Sequence, residues 1–184
     1  LRSFDFGGVG RASAALRRAN PTPPLATLLD AESRLIQDDP EGALDLVGPL
    51  LEQWPRLRAA HALRAASYGA LYDEARLHEA LETLDELSPG TPLGHHVAGR
   101  MLSLLRQYEL AATLLETAVD RQPSWTAPRI ELGLLEMQAG RDHRALAALQ
   151  EVVAMDPYNK RAANSLSLLE ALAKFETVET EHFE

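Results

Sequence analysis

The chain has 184 residues, no cysteine and a formal net charge of −9, and 33 Leu and 29 Ala greatly outnumber its 9 Val and Ile residues. Because Leu and Ala favour helices whereas β-branched residues favour strands, this composition argues against a sheet-based fold. The missing cysteine excludes disulfides and thiolate chemistry. Residues 1–23 carry a net charge of +3, which leaves −12 for residues 24–184. A body this acidic is unsuited to binding nucleic acid, and no apolar run is long enough to span a membrane.

The first 23 residues divide into two parts. Residues 4–10 include two Phe and three Gly, which predicts a flexible segment. The pattern from Arg11 to Asn20 predicts a short helix. Two interpretations stay open for the segment before that helix. It is a partly ordered end, or it folds back onto the rest of the chain.

A 34-residue repeat follows and dominates the sequence. It is marked by five evenly spaced prolines, Pro21, Pro55, Pro89, Pro123 and Pro157. With each proline at position 32, the repeat divides the chain into four units, 24–57, 58–91, 92–125 and 126–159. Small residues recur at position 8, and again at position 20 in three of the four units, which predicts two helices that pack closely in each unit. Proline then ends the second helix because it has no backbone N–H to donate.

The predicted helices run, in chain order, over 25–37, 41–53, 57–70, 73–87, 93–105, 108–121, 126–138, 142–155 and 159–174. In the first unit Gly48 and Pro49 fall inside the second helix, which predicts a kink or an irregular turn. The last predicted helix closes the array, with an exposed side that carries Lys160, Arg161, Glu170 and Lys174.

The fourth unit carries the run Met155 to Asn159 together with Gly133, Ala145 and Leu149, and in this it resembles a tetratricopeptide repeat (TPR) unit. The resemblance implies an all-α fold, a right-handed TPR superhelix (α-solenoid) of helix-turn-helix units with a closing C-terminal helix. In the second unit, the run Tyr72 to Ala75 fits the TPR pattern only if the turn between the helices is two residues short. We therefore expect a local deletion there, compensated before Pro89.

Residues 176–184 differ from the rest because acidic and β-branched residues alternate there, which is typical of a strand. The region from Asn164 to Phe183 is weakly similar to the lead-in to a zinc-peptidase-like (gluzincin, peptidase MA-type) domain of some bacterial TPR proteins. If that similarity holds, the catalytic domain lies downstream of Glu184. The alternative is a frayed acidic tail.

The chemistry-bearing side chains do not form a recognisable catalytic or metal-binding motif. The six histidines include no His-Glu-x-x-His pattern and no pair at i, i+4 spacing, although His61 and His95 share position 4 of adjacent units. Gly7 to Gly10 lacks the strand and the Lys-Ser/Thr of a phosphate-binding loop. We predict no enzymatic activity, no metal site and no cofactor.

The remaining candidate site is the concave face, which in TPR arrays is lined by the first helix of each unit. The resemblance places eleven candidate binding residues there, namely Leu28, Glu32, Leu35, Ala62, Ala66, His96, Arg100, Leu104, Ile130, Leu134 and Met137. The set is largely apolar, so we expect it to be covered by an apolar helix or peptide, with His96 and Arg100 orienting the ligand. In a tightly wound array, however, these residues would simply pack against one another.

The sequence therefore predicts a non-catalytic protein-interaction scaffold. The occupant of its groove is a protein or peptide partner, another copy of the chain, or its own N-terminal segment. The alternative function is a regulatory or substrate-presenting TPR arm of a larger zinc-peptidase-like protein. Neither interpretation assigns a cellular compartment.

Overall fold

The structure, a computed structural model, describes residues 5–19 and 23–175. Within these ranges the chain is all-α and forms ten helices. They are α1 (Phe6–Ala19), α2 (Pro24–Ile36), α3 (Pro40–Gln53), α4 (Arg58–Ala70), α5 (Glu74–Leu87), α6 (Leu93–Leu104), α7 (Tyr108–Arg121), α8 (Thr126–Gln138), α9 (Asp142–Met155) and α10 (Lys160–Leu172). No helix in this part of the chain is both long enough and apolar enough to cross a membrane.

The first helix begins five residues before the predicted start at Arg11, so the expectation of a flexible segment over residues 5–10 is wrong. α1 starts at Phe6, which lies 34 residues before the start of α3 at Pro40. The Asp5 side chain accepts a hydrogen bond from the backbone N–H of Gly8 at 2.7 Å and so caps the new helix. α1 then packs against α2. Capping and this packing outweigh the low helix propensity of glycine.

Three residues join the two helices of every pair, so the predicted shortening of the second turn is also wrong. α3, α5, α7 and α9 begin at intervals of 34 residues. The middle residue of each turn adopts a left-handed conformation, with φ of 61° at Asp38, 59° at Tyr72, 63° at Arg106 and 72° at Gly140. Tyr72 therefore occupies the turn position that favours glycine, and the turn has its full length.

α3 continues without interruption from Pro40 to Gln53, so no irregular turn occurs at Pro49. The ring of Pro49 is exposed, and a Cβ atom on Gly48 would meet nothing within 4 Å. The helix thus accommodates the proline on its solvent side.

The chain divides into two compact units, the first ending at Gln122 and the second beginning at Pro123. In the first unit the small residues at position 8 act as predicted. A Cβ atom added to Gly99 of α6 would lie 3.1 Å from the carbonyl oxygen of Ala111 and 2.8 Å from Cγ of Leu115, both on α7. Glycine therefore allows the two helices to approach closely.

The second unit contains α8, α9 and α10 around its own core. Its buried members are Ile130, Ala145, Leu149, Val152, Ala162 and Leu169. Asn159 caps α10 by accepting a hydrogen bond from the backbone N–H of Ala162 at 3.2 Å. The predicted polar side chains are exposed, with Lys160, Arg161 and Glu170 on α10 and Lys174 in the turn after it. The predicted strand over 176–184 lies outside the described residues.

Candidate functional site

The middle of the predicted binding face in the first unit is closed. Ala62 and Ala66 of α4 have 0% exposed surface, and Leu35 of α2 is also buried. Because α4 carries only small side chains on this side, α2 and α6 approach each other across it and are in contact. These three residues therefore form part of the core, which corrects the expectation that they are open to a binding partner and agrees with the alternative that they pack against one another.

An ion pair joins α2 to α6 over the closed part of the face. The carboxylate of Glu32 accepts a hydrogen bond from the guanidinium of Arg100, whose side chain is only 16% exposed. Both residues hold position 9 of their repeats, on either side of Ala66. Arg100 was expected to orient a partner, but its charge is already neutralised within the chain.

The remaining predicted residues of the first unit lie at the margins of this closed region. Leu28 and His96 are half-buried, and Leu104 at the end of α6 is exposed. Leu25 at the start of α2 is exposed as well. These exposed leucines stand at opposite ends of their helices, so the first unit presents no continuous apolar stripe between them.

The equivalent face of the second unit is different, because its apolar residues reach the surface. Ile130 is buried in the core, and Leu134 and Met137 are partly buried and pack against that core. On α10, Leu168 is 50% exposed and Leu172 is 48% exposed. We call the surface formed by Leu134, Met137, Leu168 and Leu172 the α8–α10 face.

A bidentate ion pair aligns the two helices of the α8–α10 face. Both guanidinium Nη atoms of Arg161 on α10 donate to the carboxylate of Glu131 on α8, at 2.7 and 3.1 Å. Leu134 and Leu168 hold position 9 of their repeats, and Met137 and Leu172 hold positions 12 and 13, which in TPR arrays lie on the inner side of the first helix. The ion pair therefore links the two helices that carry these apolar side chains.

A polar cleft that the sequence analysis did not identify lies in the first unit, between α5, the start of α6 and the end of α7. Its volume is about 450 Å³, and its polar lining consists of His78, Glu82, Asp85, Glu86, His95 and Arg121. His78, Glu82 and Glu86 recur every four residues along α5, which places them on one helix face. That spacing was the signal available in the sequence.

Charge and burial shape the chemistry of this cleft. Arg121 Nη1 donates to Asp85 Oδ1 at 2.5 Å and to the carbonyl oxygen of Thr91 at 3.1 Å, and the pair holds the pKa of Asp85 below its usual value. Burial lowers the pKa of His95 to about 4, and the positive charge of Arg121 acts in the same direction. His95 is therefore a neutral imidazole at physiological pH.

The two histidines that share position 4 have separate partners. His61 is buried and donates from Nε2 to the carbonyl oxygen of Pro55 at 2.8 Å, whereas His95 lines the cleft. Among residues 5–19 and 23–175, no group of three His, Asp or Glu side chains could hold a metal ion.

Solved structures with the same fold include several bacterial proteins. TTC0263, a TPR protein of Thermus thermophilus, aligns with a TM-score of 0.65 and 20% identity over 91% of this chain and 93% of that one. The fold is a TPR fold. MamA from Desulfovibrio magneticus RS-1 aligns with a TM-score of 0.53 and 19% identity over 82% of this chain and 85% of that one. PilW, a type IV pilus biogenesis factor, aligns with a TM-score of 0.52 and 18% identity over 82% of this chain and 70% of that one.

Neither a protein-family model nor a curated protein sequence matches the chain. In the first unit, the TPR fold explains why α2, α4 and α6, the first helices of their repeats, contact one another. It does not require the face they form to be open, and in this chain the part around α4 is sealed by its neighbours.

Proposed function

We propose that this TPR chain is a non-catalytic protein-interaction scaffold, and that the α8–α10 face binds an apolar segment of a protein partner. The observation that carries the proposal is the half-exposure of Leu168 and Leu172 on α10, a helix that an ion pair links to α8. Exposed apolar side chains that share one surface are typical of a docking site.

The expected contribution of this face is moderate. Completing the burial of a half-exposed leucine contributes about 1 kcal/mol, so Leu168 and Leu172 together supply about 2 kcal/mol. A partner that docks here therefore needs its own apolar anchors, such as leucine or phenylalanine, and gains affinity if those anchors are held in a helix.

The test is selection of binding peptides from a random phage-displayed library on the wild-type protein, followed by calorimetry with the selected sequences. We expect peptides rich in apolar residues. The double variant Leu168→Glu and Leu172→Glu should abolish their binding because it places two charges on the docking surface. Leu25→Glu is the matched control, since Leu25 is 54% exposed but lies on the first unit.

The proposal fails if a double variant with an unchanged circular dichroism spectrum still binds the selected peptides with wild-type affinity. It also fails if the library yields no sequence that binds above background. Loss of binding in Leu25→Glu with retention in the double variant would move the docking site to α2.

A further inference from the structure

The polar cleft of the first unit offers more hydrogen-bond acceptors than donors. Three carboxylates, Glu82, Asp85 and Glu86, face one guanidinium, that of Arg121. Their formal charges sum to −2, because the two histidines of the cleft are counted as neutral. A cavity with this balance attracts a group that is positively charged and rich in donors.

Arg121 already shows how a guanidinium fits one end of this cleft. One of its nitrogen atoms donates both to the carboxylate of Asp85 and to the carbonyl oxygen of Thr91. The backbone N–H of Gly90 also donates to Asp85, at 3.1 Å. The acceptors at that end are therefore engaged and fixed in position.

The acceptors at the other end are not engaged in this way. Within the part of the chain that the structure describes, neither Glu82 nor Glu86 takes part in an ion pair. His78 donates from Nδ1 to the carbonyl oxygen of Glu74 at 2.6 Å, which leaves its Nε2 as an acceptor. His95, a neutral imidazole in the wall of the cleft, provides a further acceptor nitrogen.

The rest of the lining is apolar. Leu81 and Pro89 lie in the same cleft, next to the carboxylates. A long side chain with an aliphatic stem and a cationic head matches this arrangement, because the stem can lie on the apolar surface while the head reaches the acceptors.

We propose that this cleft, formed by α5, α6 and α7, is a second interaction site, which binds an arginine or lysine side chain of a protein partner. Glu82 and Glu86 supply the charge, the imidazoles of His78 and His95 accept further hydrogen bonds, and Leu81 and Pro89 hold the stem. Among the described residues no three His, Asp or Glu side chains are placed so that they could hold a metal ion together, so a cationic side chain suits the cleft better than a metal ion does.

The test uses three synthetic tripeptides, acetyl-Gly-X-Gly-amide, in which X is arginine, lysine or citrulline. Citrulline has nearly the shape of arginine without its charge. Binding is measured by titration with ¹H–¹⁵N NMR spectra of the whole chain at low salt. We expect the arginine or lysine peptide to bind at least about tenfold tighter than the citrulline peptide, since hydrogen bonds to charged groups are the stronger ones. The shifts should centre on α5 and the start of α6.

The matched variants remove the same charge from different faces of α5. Glu82→Gln with Glu86→Gln should weaken binding of the cationic peptides at least about fivefold, whereas Glu74→Gln with Glu79→Gln, two exposed residues outside the cleft, should not. All four are substitutions of exposed side chains, so both variants are expected to fold.

The proposal is overturned if the citrulline peptide binds as well as the arginine peptide, or if the Glu82 and Glu86 variant binds like wild type. It is also overturned if spermidine or Zn²⁺ binds in the cleft at least tenfold tighter than either cationic peptide, which would indicate a free polyamine or a metal ion. Because the α8–α10 face belongs to other helices, these outcomes are independent of the peptide selection described above.

Discussion

Glu32 and Arg100 form an ion pair between two helices that are separated in the chain by a complete repeat. The pair joins α2 to α6, and Ala66, at the same repeat position of the intervening α4, has no exposed surface. A face that was expected to be an open groove is thereby bridged by opposite charges.

Removal of either partner of this pair should destabilise the first unit. Because Arg100 is mostly buried, Glu32→Gln leaves its charge without compensation, and we expect a loss of about 1–2 kcal/mol in the free energy of unfolding. Arg100→Met should cost less, because it removes the buried charge itself. A double-mutant cycle by urea denaturation measures the coupling, and additive effects of the two changes would contradict the assignment.

The close approach of α6 and α7 predicts opposite effects for two glycine substitutions. Gly99→Ala places a methyl group 3.1 Å from the carbonyl oxygen of Ala111 and should cost about 1–3 kcal/mol. Gly10→Ala in α1 meets nothing within 4 Å and should stabilise the helix by up to about 1 kcal/mol. Thermal unfolding of the two variants tests the prediction. Equal unfolding midpoint temperatures for Gly99→Ala and Gly10→Ala would contradict it.

Adjacent leucines in α10 should differ in their contribution to stability. Leu169 is 2% exposed and belongs to the core of the second unit, so Leu169→Ala should cost about 2–4 kcal/mol. Leu168 is half-exposed, and Leu168→Ala should cost less than about 1 kcal/mol while weakening peptide binding. Chemical denaturation measures the loss of unfolding free energy in each variant. A larger loss for Leu168→Ala than for Leu169→Ala would mean that α10 is rotated about its axis and buries Leu168 instead.

The left-handed turns predict a stabilising substitution. Tyr72 has φ of 59° and an exposed side chain, so Tyr72→Gly should relieve backbone strain and raise the free energy of unfolding by about 0.5–1 kcal/mol. The reciprocal change Gly140→Tyr, at the same position of another repeat, should lower it by about 1 kcal/mol. If Tyr72→Gly destabilises the protein, contacts of the tyrosine ring outweigh the strain.

His95 should make stability depend on pH. Its pKa is lowered to about 4 in the folded chain, whereas an unfolded histidine titrates near its ordinary value. Between those two values the unfolded chain binds the extra proton, so stability is fully present at neutral pH and falls as the pH drops towards 4.

The comparison is between wild type and His95→Gln, with urea denaturation at pH 7.5 and pH 5. Wild type should lose about 1 kcal/mol more than the variant on acidification, a figure reduced for the partial exposure of the imidazole. A variant with the same loss as wild type would show that other groups, such as carboxylates with lowered pKa values, account for the effect.

The fold was predictable because proline spacing sets the helix phase. Prolines at intervals of 34 residues placed every helix from α2 to α9 within one residue of its observed bounds and α10 within two. The predicted start of α1 was five residues too late because the three glycines near its N-terminus have low helix propensity. The cap that Asp5 provides became evident only in the structure. The turn at Tyr72 was misread since tyrosine is a rare choice at a left-handed position.

The candidate site was less predictable, since repeat position shows which side a residue faces and not how closely the neighbouring helices approach. Ala66 and Leu134 hold the same position of their repeats, yet the first is fully enclosed and the second reaches the surface. The difference depends on the volume of side chains in other repeats. The cleft around His95 depends likewise on how three successive helices, α5, α6 and α7, pack against one another.

The enclosure of α4 has a consequence for mutational tolerance. A deep mutational scan should find the plain alanines at positions 62 and 66 among the least replaceable residues, although neither bears a functional group. A leucine at position 66 would force α2 and α6 apart and separate Glu32 from Arg100. The strongest limits on substitution therefore apply to residues that carry no binding or catalytic group.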